Sequence, residues 1–504
     1  MKLLQKSYAG KIKMIYIDPP YNTGKDFIYK DRYKDNLKNY QEFTGQVDSG
    51  GNKLSTNSDS DGRFHSNWLN MIYPRLRLAR NLLKDDGVIC ISIDDNEVAN
   101  LSKLVNEIFG EDNYISLFIW KKKQGGGNNS NHVVVEHEYI IMISKNRKSL
   151  KLNLDKKYEL DDKLYPFSDE NGDYGLITLD KSSIGFSQSG VFEIRDKEGN
   201  IYLPRIIKGK QSRWRWSKQK VENEFTKLVF KSGKVYTKYY RPIGVIPKSL
   251  LIDPLYGRTE TGNDDLRKVF DNEYPFSYPK PISLIKHFIA ICCKDGDIVL
   301  DFFAGSSSTA HSVIACCLED NIKLKFIQVQ LPEKTDKDNE AYKSRYSTIA
   351  EIGKERIRRA VKKIKEEHPI ISKELDLGFK VFKLDSSNIK SWDGNPDNVE
   401  TSLLDTVENI KPGRTEEDVL YEILLKSGLD LTLPIEGRNI EGKKVFNIGL
   451  GSLFICLADN ITRKVAEGIG QWKKECNPEI CRVVFKDNGF SDIEKTNSVQ
   501  TLKR

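Results

Sequence analysis

No apolar run in this chain reaches the ~18 residues that a membrane-crossing helix needs. The N-terminus, MKLLQKSYAGKIKMIYIDPPY, has no apolar segment of the secretory kind. No membrane partner is expected, and the cytoplasm is the expected compartment. None of the eight cysteines stands in a C-x-x-C pair, and no cluster of the six histidines accompanies the C-x4-C spacing at Cys476 and Cys481. A metal site is therefore not expected. Cys90 in GVICISI and Cys292–Cys293 in FIAICC lie in apolar runs and are expected as buried, reduced thiols. No internal repeat is visible. Charge of neither sign dominates: the net charge is +8 over 504 residues. That excess is compatible with a polyanionic partner and too thinly spread to establish one. The length allows roughly two to four domains.

What is present is parallel α/β patterning, interrupted once. Lys13–Ile17 is a short strand ended by Asp18-Pro19-Pro20, because proline cannot donate to a ladder. Residues 25–63 are polar and rich in Gly and Ser, and are expected as a mobile loop. Trp68, Leu69, Ile72, Leu76, Leu78, Leu82 and Leu83 recur at helical spacing. DDG closes that helix, VICISID follows as a buried strand, and a helix is expected over about 96–109. From residue 120 the pattern breaks: KKKQGGGNNSNH reads as a loop, with Lys121, Lys122 and Lys123 more a solvated charge run than a DNA-facing one. Residues 150–245 alternate short strands and turns. The pattern returns in a helix over about 281–293, then DGDIVLDFFAGSSSTAHSVIACC as strand, tight turn and helix, then the strand LKFIQVQL. Residues 341–367 predict a charged helix with a solvated or dimer-forming face, and His65 and His311 show no partner.

Two motifs carry chemistry. The first is DPPYNTG, Asp18 to Gly24, directly after a strand. Methylating an exocyclic amine requires drawing its lone pair out of the ring. An Asp18 carboxylate and a Pro19 carbonyl can accept from the two amine hydrogens, and proline fixes the backbone that aims the carbonyl. Tyr21 can stack on a base extruded from the duplex. The bland alternative is a turn, which Pro19-Pro20 would also mark. The second motif is VLDFFAGSSST, Val299 to Thr309, in which a strand ends at Asp301 and a small-residue turn at Gly305 opens a helix. Ligands of doubly wound sheets bind at such strand ends, although an ordinary strand-to-helix turn would read the same. No Lys or Arg stands beside this turn in the sequence, unlike a phosphate cradle.

With both motifs in this order, the sequence resembles the β-class amino-methyltransferases of DNA, in which D-P-P-Y precedes F-x-G and a target recognition domain lies between. Asp at the first position resembles the adenine-N6 enzymes; cytosine-N4 enzymes more often carry Ser. IYIDPPYNTGKDFIYKD, FSYPKPISLIKHFI, VLDFFAGS, FIQVQLPE, GFKVFKLDSSNIKSW and VLYEILLKSGLDL are similar to the modification subunits of type III restriction-modification systems.

The resemblance implies S-adenosylmethionine as co-substrate, duplex DNA as substrate, a homodimer, and an ATP-dependent restriction subunit as partner. It implies Asp18, Pro19, Pro20 and Tyr21 as catalytic residues. Lys280, Pro281, Asp301, Phe303 and Gly305 would bind the cofactor, Asp301 through its ammonium. Glu333 and Gln330 are weaker candidates for its ribose. Arg213 and Arg215, in SRWRWSK, are candidate phosphate contacts, with surface arginines beside core tryptophans as the equal alternative.

The expected fold is a doubly wound, Rossmann-like, mostly parallel methyltransferase sheet, with a β-rich target recognition insertion and an α+β C-terminal region. The expected parts are 1–150 (catalytic), 151–274 (target recognition), 275–335 (cofactor) and 336–504 (C-terminal). Two departures stand out. Ser307 replaces a glycine of the family's G-S-G-T-T, adding a side chain where the backbone approaches the cofactor. By the resemblance about one hundred residues are expected before D-P-P-Y, and this chain carries 17; a chain that is shortened, split from another gene segment, or dependent on a partner is the expectation. Cytosine-N4 methylation, or a catalytically weakened recognition subunit, are the alternatives.

Overall fold

The computed structural model describes residues 1–23, 63–125, 132–156, 162–183, 185, 187–335, 346–390 and 409–503. The expected loop over 25–63 lies almost wholly outside these. The chain divides into two compact units, Met1–Lys151 with Ser249–Arg504, and Leu152–Lys248.

The larger unit is built on a seven-stranded sheet. Its strands are β1 (Ile12–Ile17), β2 (Leu83–Ile93), β3 (Tyr114–Lys121), β4 (His137–Ser144), β5 (Leu250–Leu251), β6 (Ile298–Asp301) and β7 (Lys325–Gln328). They lie in the order β5-β3-β4-β2-β1-β6-β7. β1 pairs in parallel with both β2 and β6, β6 with β7, and β5 with β3. β4 alone runs the other way, antiparallel to β2 and β3. The sheet is thus mostly parallel with one reversed strand, and that reversal shapes the site.

Every residue of β1 is buried, as expected of a strand covered on both faces. Helices α1 (Arg63–Leu82) and α2 (Val98–Phe109) cover one face. There Trp68, Ile72, Leu76 and Ala79 of α1 and Leu101 and Val105 of α2 pack with Ile15, Ile17, Ile89 and Ile91. The alternate residues Met14 and Tyr16 face α4 (Ile282–Cys292), through Cys293 against Met14 and Phe288 against Tyr16. Helix α3 (Thr259–Val269) precedes α4, and α5 (Ser308–Asp320) and α6 (Ile349–Glu367) follow it. The helix expected over 341–367 therefore begins at Ile349, with 341–345 outside the described residues. It has a solvated side, at Arg358, Lys362, Lys365 and Glu366. Its other side, with Ile352, Arg356, Ile357, Ala360 and Ile364, is buried, because α6 lies against α3 and α5.

The C-terminal part of this unit carries a second sheet, Ile435–Ile440, Lys443–Ile448, Leu453–Cys456 and Arg482–Phe485. Helix Arg463–Cys476 packs its Val465, Ile469 and Trp472 against it. The smaller unit is β-rich. Its main sheet joins Leu228–Lys231, Lys234–Tyr240, Gly172–Thr178 and Phe167–Asp169, all antiparallel. All eight cysteines are free. No helix among the described residues is long and apolar enough to cross a membrane, and no metal-holding cluster occurs among them.

Candidate active site

The register Met14↔Val299 and Ile15↔Leu300 brings the carboxyl ends of β1 and β6 side by side. Asp18 and Asp301, far apart in sequence, therefore emerge at one edge of the sheet. The reversed strand β4 starts at that same edge, since Tyr139 pairs with Ile93 at the carboxyl end of β2. This places Glu138 beside the D-P-P-Y motif.

Four charges and a phenol form a closed cluster there. Lys280, just before α4, points its Nζ to Asp18 Oδ1 at 3.0 Å, Glu138 Oε2 at 3.1 Å and Tyr21 Oη at 2.7 Å. Those three partners use all three ammonium hydrogens. Tyr21 Oη lies 2.8 Å from Asp18 Oδ1 and 3.1 Å from Glu138 Oε2, with one proton to donate between them. Lys122 Nζ donates to Glu138 Oε1 at 3.1 Å. Two cations thus balance two anions. Lys122, expected as part of a solvated charge run, is part of the site.

The electrostatics follow from burial and pairing. Burial alone would lower the Lys280 pKa, and the carboxylates of Asp18 and Glu138 more than reverse this, so it lies above the ordinary lysine range. Burial would raise Glu138, and Lys280 and Lys122 outweigh it, leaving it below the usual range. Tyr21 is driven well up by burial, then by Asp18 and Glu138. At neutral pH the phenol keeps its proton and the ion pair keeps its charges.

The motif's backbone is pinned from below. Trp68 Nε1 donates to the Pro20 carbonyl at 2.6 Å. The buried Asn22 takes the left-handed conformation, φ 60°, and donates to Glu97 Oε1 at 2.6 Å. Glu97 is fully buried and also faces His65 Nδ1 at 2.7 Å and Asn100 Nδ2 at 2.8 Å. His65 therefore has a partner that its sequence surroundings did not show. Pro19 is buried, yet its carbonyl accepts no hydrogen bond among the described residues, and neither does Asp18 Oδ2. Among the described residues two acceptors thus remain open at the edge where the strand ends, on a backbone anchored at Pro20 and Asn22.

The second motif is a compact turn. Asp301 is 4% exposed, with Oδ1 accepting from Phe303 N at 2.9 Å and Oδ2 from Thr309 Oγ1 at 2.7 Å. Burial pushes its carboxyl up to about 7; the Thr309 and Phe303 bonds pull it down and Asp18 adds to the rise. Gly305 has φ 51°, donates its N–H to Gln330 Oε1 at 2.7 Å, and sits against Phe276, whose Cζ would lie 3.3 Å from a Cβ there. Phe303 and Pro281 are buried. Ser307, where the resemblance implies glycine, takes the left-handed conformation that glycine favours, φ 60°. Its side chain fits because Gly353 of α6 faces it: a Cβ at 353 would lie 2.5 Å from Ser307 Oγ.

An S-adenosylmethionine molecule fits the polar groups left over. Both amide atoms of Gln328, at the end of β7 and paired with Asp301, are buried without a hydrogen bond, as is Glu333 Oε1. Together they offer a donor and two acceptors to a diol such as a ribose. Gln330, by contrast, spends its carbonyl on Gly305. The ammonium of Lys280 binds the D-P-P-Y cluster rather than the Gly305 turn.

Sequence reasoning missed Glu138, Lys122, Gln328 and Arg356. A carboxylate heading an apolar strand, HEYIIMIS, was the available signal for Glu138; no signal separated Gln328 from its neighbours. In the smaller unit, Arg213 Nε donates to the Gly185 carbonyl at 2.9 Å. The exposed Arg215 reaches Thr237 Oγ1 at 3.2 Å. Trp214 is core, its Nε1 donating to the Phe192 carbonyl at 2.8 Å.

The DNA methylase family matches residues 12–319. The modification subunit of the type III restriction-modification enzyme EcoPI, from Escherichia phage P1, is 31% identical over the whole chain and 81% of its own length. The EcoP15I modification subunit of Escherichia coli is also 31% identical, with the same coverage. The type II methyltransferase M.KpnI of Klebsiella pneumoniae is 30% identical over 69% of this chain and 82% of its own. The chain belongs to the S-adenosylmethionine-dependent DNA methylases and, within them, to the modification subunits of type III restriction-modification enzymes.

Proposed function

We propose that the chain methylates the N6 amine of adenine in duplex DNA, on a base turned out of the helix, as the modification subunit of a type III system. The observation that supports this best is the pair of open acceptors, Asp18 Oδ2 and the Pro19 carbonyl, beside an Asp18 Oδ1 already fixed by Lys280 and Tyr21. Accepting from both amine hydrogens, they draw the nitrogen toward sp³ and free its lone pair. The cofactor supplies an electrophilic methyl carbon. The nitrogen forms the new bond to that carbon as the carbon–sulfur bond breaks, and the surplus amine proton leaves toward the Asp18 carboxylate. Pro20 holds the turn through Trp68, and Tyr21 offers a ring fixed by its hydroxyl for the target base. Asp301, Phe303 and the Gly305 turn seat the cofactor with Pro281; Gln328 and Glu333 take its ribose. Lys280 acts here through Asp18.

Of the part expected over 151–274, we assign target recognition to the compact unit Leu152–Lys248, since 249–274 supplies β5 and α3 of the larger unit, with Arg215 as a phosphate contact and Arg213 a weaker one because it braces Gly185. The parts 1–150, 275–335 and 336–504 keep the catalytic, cofactor and C-terminal assignments. A restriction subunit as partner follows from the relatives being modification subunits; its ATP dependence, a homodimer and the cytoplasm as compartment complete the proposal.

Methyl-labelled cofactor and mixed-sequence duplex DNA test it. Label recovered in N6-methyladenine with the wild type, and lost with Asp18→Ala, is expected. Label in N4-methylcytosine moves the substrate. No label from a folded chain that binds DNA favours the recognition-only alternative.

A further inference from the structure

Behind the cofactor turn lies a buried cation that nothing so far explains. Arg356 of α6 is fully buried. Its Nη1 donates to Ser306 Oγ at 2.9 Å and Ser308 Oγ at 2.7 Å, and its Nε faces His311 Nδ1 at 3.4 Å. Its Nη2 has no partner among the described residues. Among the described residues no carboxylate lies within ion-pair distance of it. Asp265 acts on it only from further off and spends Oδ2 on the Ile282 N–H. His311 cannot neutralise it: burial and the Arg356 charge hold that imidazole neutral. Burying a guanidinium without a counter-ion is costly, and an apolar side chain of similar volume would avoid the cost. Among the described residues only Asp265 answers this charge, and from beyond ion-pair distance, so the placement leaves room for a direct negative partner.

The contacts indicate where that group belongs. Ser306 and Ser308 flank the left-handed Ser307 at the start of α5, a helix of 13 residues. First-turn amides of a helix lack intrahelical partners and carry positive potential. A serine oxygen that accepts from Arg356 must turn its own proton elsewhere. The two hydroxyls therefore become oriented donors, and the guanidinium adds its charge to the helix end. Gly353 lets α6 approach this closely, since a Cβ there would lie 3.2 Å from the Gly305 carbonyl. No Lys or Arg stands beside the turn in sequence; the fold brings one from α6.

We propose that Arg356 is a positioning residue for the carboxylate of S-adenosylmethionine, acting through the hydroxyls of Ser306 and Ser308 at the start of α5. The carboxylate is the cofactor's one anionic group. The proposal rests on the Gly305 turn being the cofactor's seat. Arg356 touches neither the methyl group nor the target base, so its effect falls on cofactor affinity and not on the chemical step.

The test compares two ligands on the full chain by calorimetry: S-adenosylmethionine and its decarboxylated analogue, which keeps the sulfonium, ribose and adenine. The wild type should prefer S-adenosylmethionine. Arg356→Met should weaken S-adenosylmethionine by about tenfold or more, the scale of a lost charge-assisted hydrogen bond. The analogue should be unaffected within about twofold, on the same scale of precision. Arg356→Lys should recover part of the preference. Equal weakening of both ligands, or of neither, would overturn the proposal, because a purely structural role cannot tell the two apart. If circular dichroism shows Arg356→Met unfolded, Ser306→Ala is read by the same ratio, and an unchanged ratio overturns the proposal. Failure of the cofactor seat itself looks different: the wild type binds neither ligand, before any substitution is made.

Discussion

Asp301 gives the sharpest quantitative expectation. Its carboxyl is buried at the end of β6 and is pushed up to about 7, mainly by loss of water. Each oxygen accepts one bond, from Phe303 N and Thr309 Oγ1, and keeps one lone pair, which in the proposed role accepts from the cofactor's ammonium. Only the ionised form serves that cation, so binding favours release of the proton. A group titrating near 7 is about nine-tenths protonated at pH 6, half at pH 7 and one-tenth at pH 8. Binding should then release about 0.9 proton at pH 6 and about 0.1 at pH 8 from this carboxyl. Affinity should fall up to about tenfold, or ~1.4 kcal/mol, for each pH unit below 7 until the bound-state pKa is reached. Calorimetry in two buffers of different ionisation heat reads the proton count directly. Asp301→Asn isolates this carboxyl from any titration of the ligand's own amine. Equal proton release by wild type and Asp301→Asn at pH 6 would refute the reasoning. The stability counterpart has a definite sign. Asp301 is raised above its unfolded value of 3.8, so the ligand-free protein is favoured by it below that value and loses the contribution as pH climbs through 7. The loss is at most about 4 kcal/mol. Thermal unfolding of the wild type should therefore drop between pH 5 and 8 relative to Asp301→Asn.

Three further expectations follow from the site. Glu138→Gln removes one counter-charge from a Lys280 side chain that is 10% exposed; urea unfolding should show a loss of about 2–4 kcal/mol, partly recovered by adding Lys280→Met, since the orphaned charge is then gone. Additive losses would refute the pairing. Ser307→Gly should stabilise the chain by about 1 kcal/mol, because the left-handed backbone at 307 strains any residue with a Cβ. Gly353→Ala should destabilise it, and less so in the Ser307→Gly background, since the closest atom the new Cβ meets is Ser307 Oγ; equal effects in both backgrounds would sink that link. Arg215→Ala should weaken DNA binding about equally across sequences and reduce the log–log salt slope by about 0.9, and an unchanged slope would remove Arg215 from the DNA contacts.

Parallel strands made the core of the catalytic unit legible. β1, apolar but for Lys13, and β6 run into Asp18-Pro19-Pro20 and Asp301-Phe302-Phe303, so each motif announces both a strand end and a chemical group. The common edge follows from the fold's rule that ligands gather at carboxyl ends. What the sequence hid depended on strand direction and helix facing. Glu138 sits at the start of β4, and a strand's start belongs to the site only if the strand is reversed. Nothing in HEYIIMIS states its direction. Arg356 sits in IAEIGKERIRRAVKKIKEE, where charges outnumber apolar residues and the helix looks solvated. Its buried stripe is set by Ile352, Ile357 and Ile364, with the arginine between them.

The two hidden residues share a logic. Asp18 and Ser306 to Ser308 are the groups that would meet the reactants, and their local motifs are readable because backbone chemistry constrains them. Glu138 and Arg356 hold those groups from distant elements. Any segment that delivers a charge to the right place can do that task, so no spacing marks it. Glu138 also explains how an ammonium can lie against Asp18 without neutralising it for the target amine. Lys280 binds both carboxylates through one oxygen of each, and Lys122 shares the charge of Glu138 from the other side. With Glu138 present, the positive charge beside Asp18 is balanced and only Oδ1 is engaged, so Oδ2 stays open. With it removed, Lys280 has Asp18 as its one remaining carboxylate, and the second oxygen becomes a contact the ammonium competes for. Glu138→Gln should therefore lower the methyl-transfer rate while S-adenosylmethionine binding holds. Single-turnover kinetics beside a cofactor titration checks this, and a variant that loses both together would show that Glu138 only supports the fold.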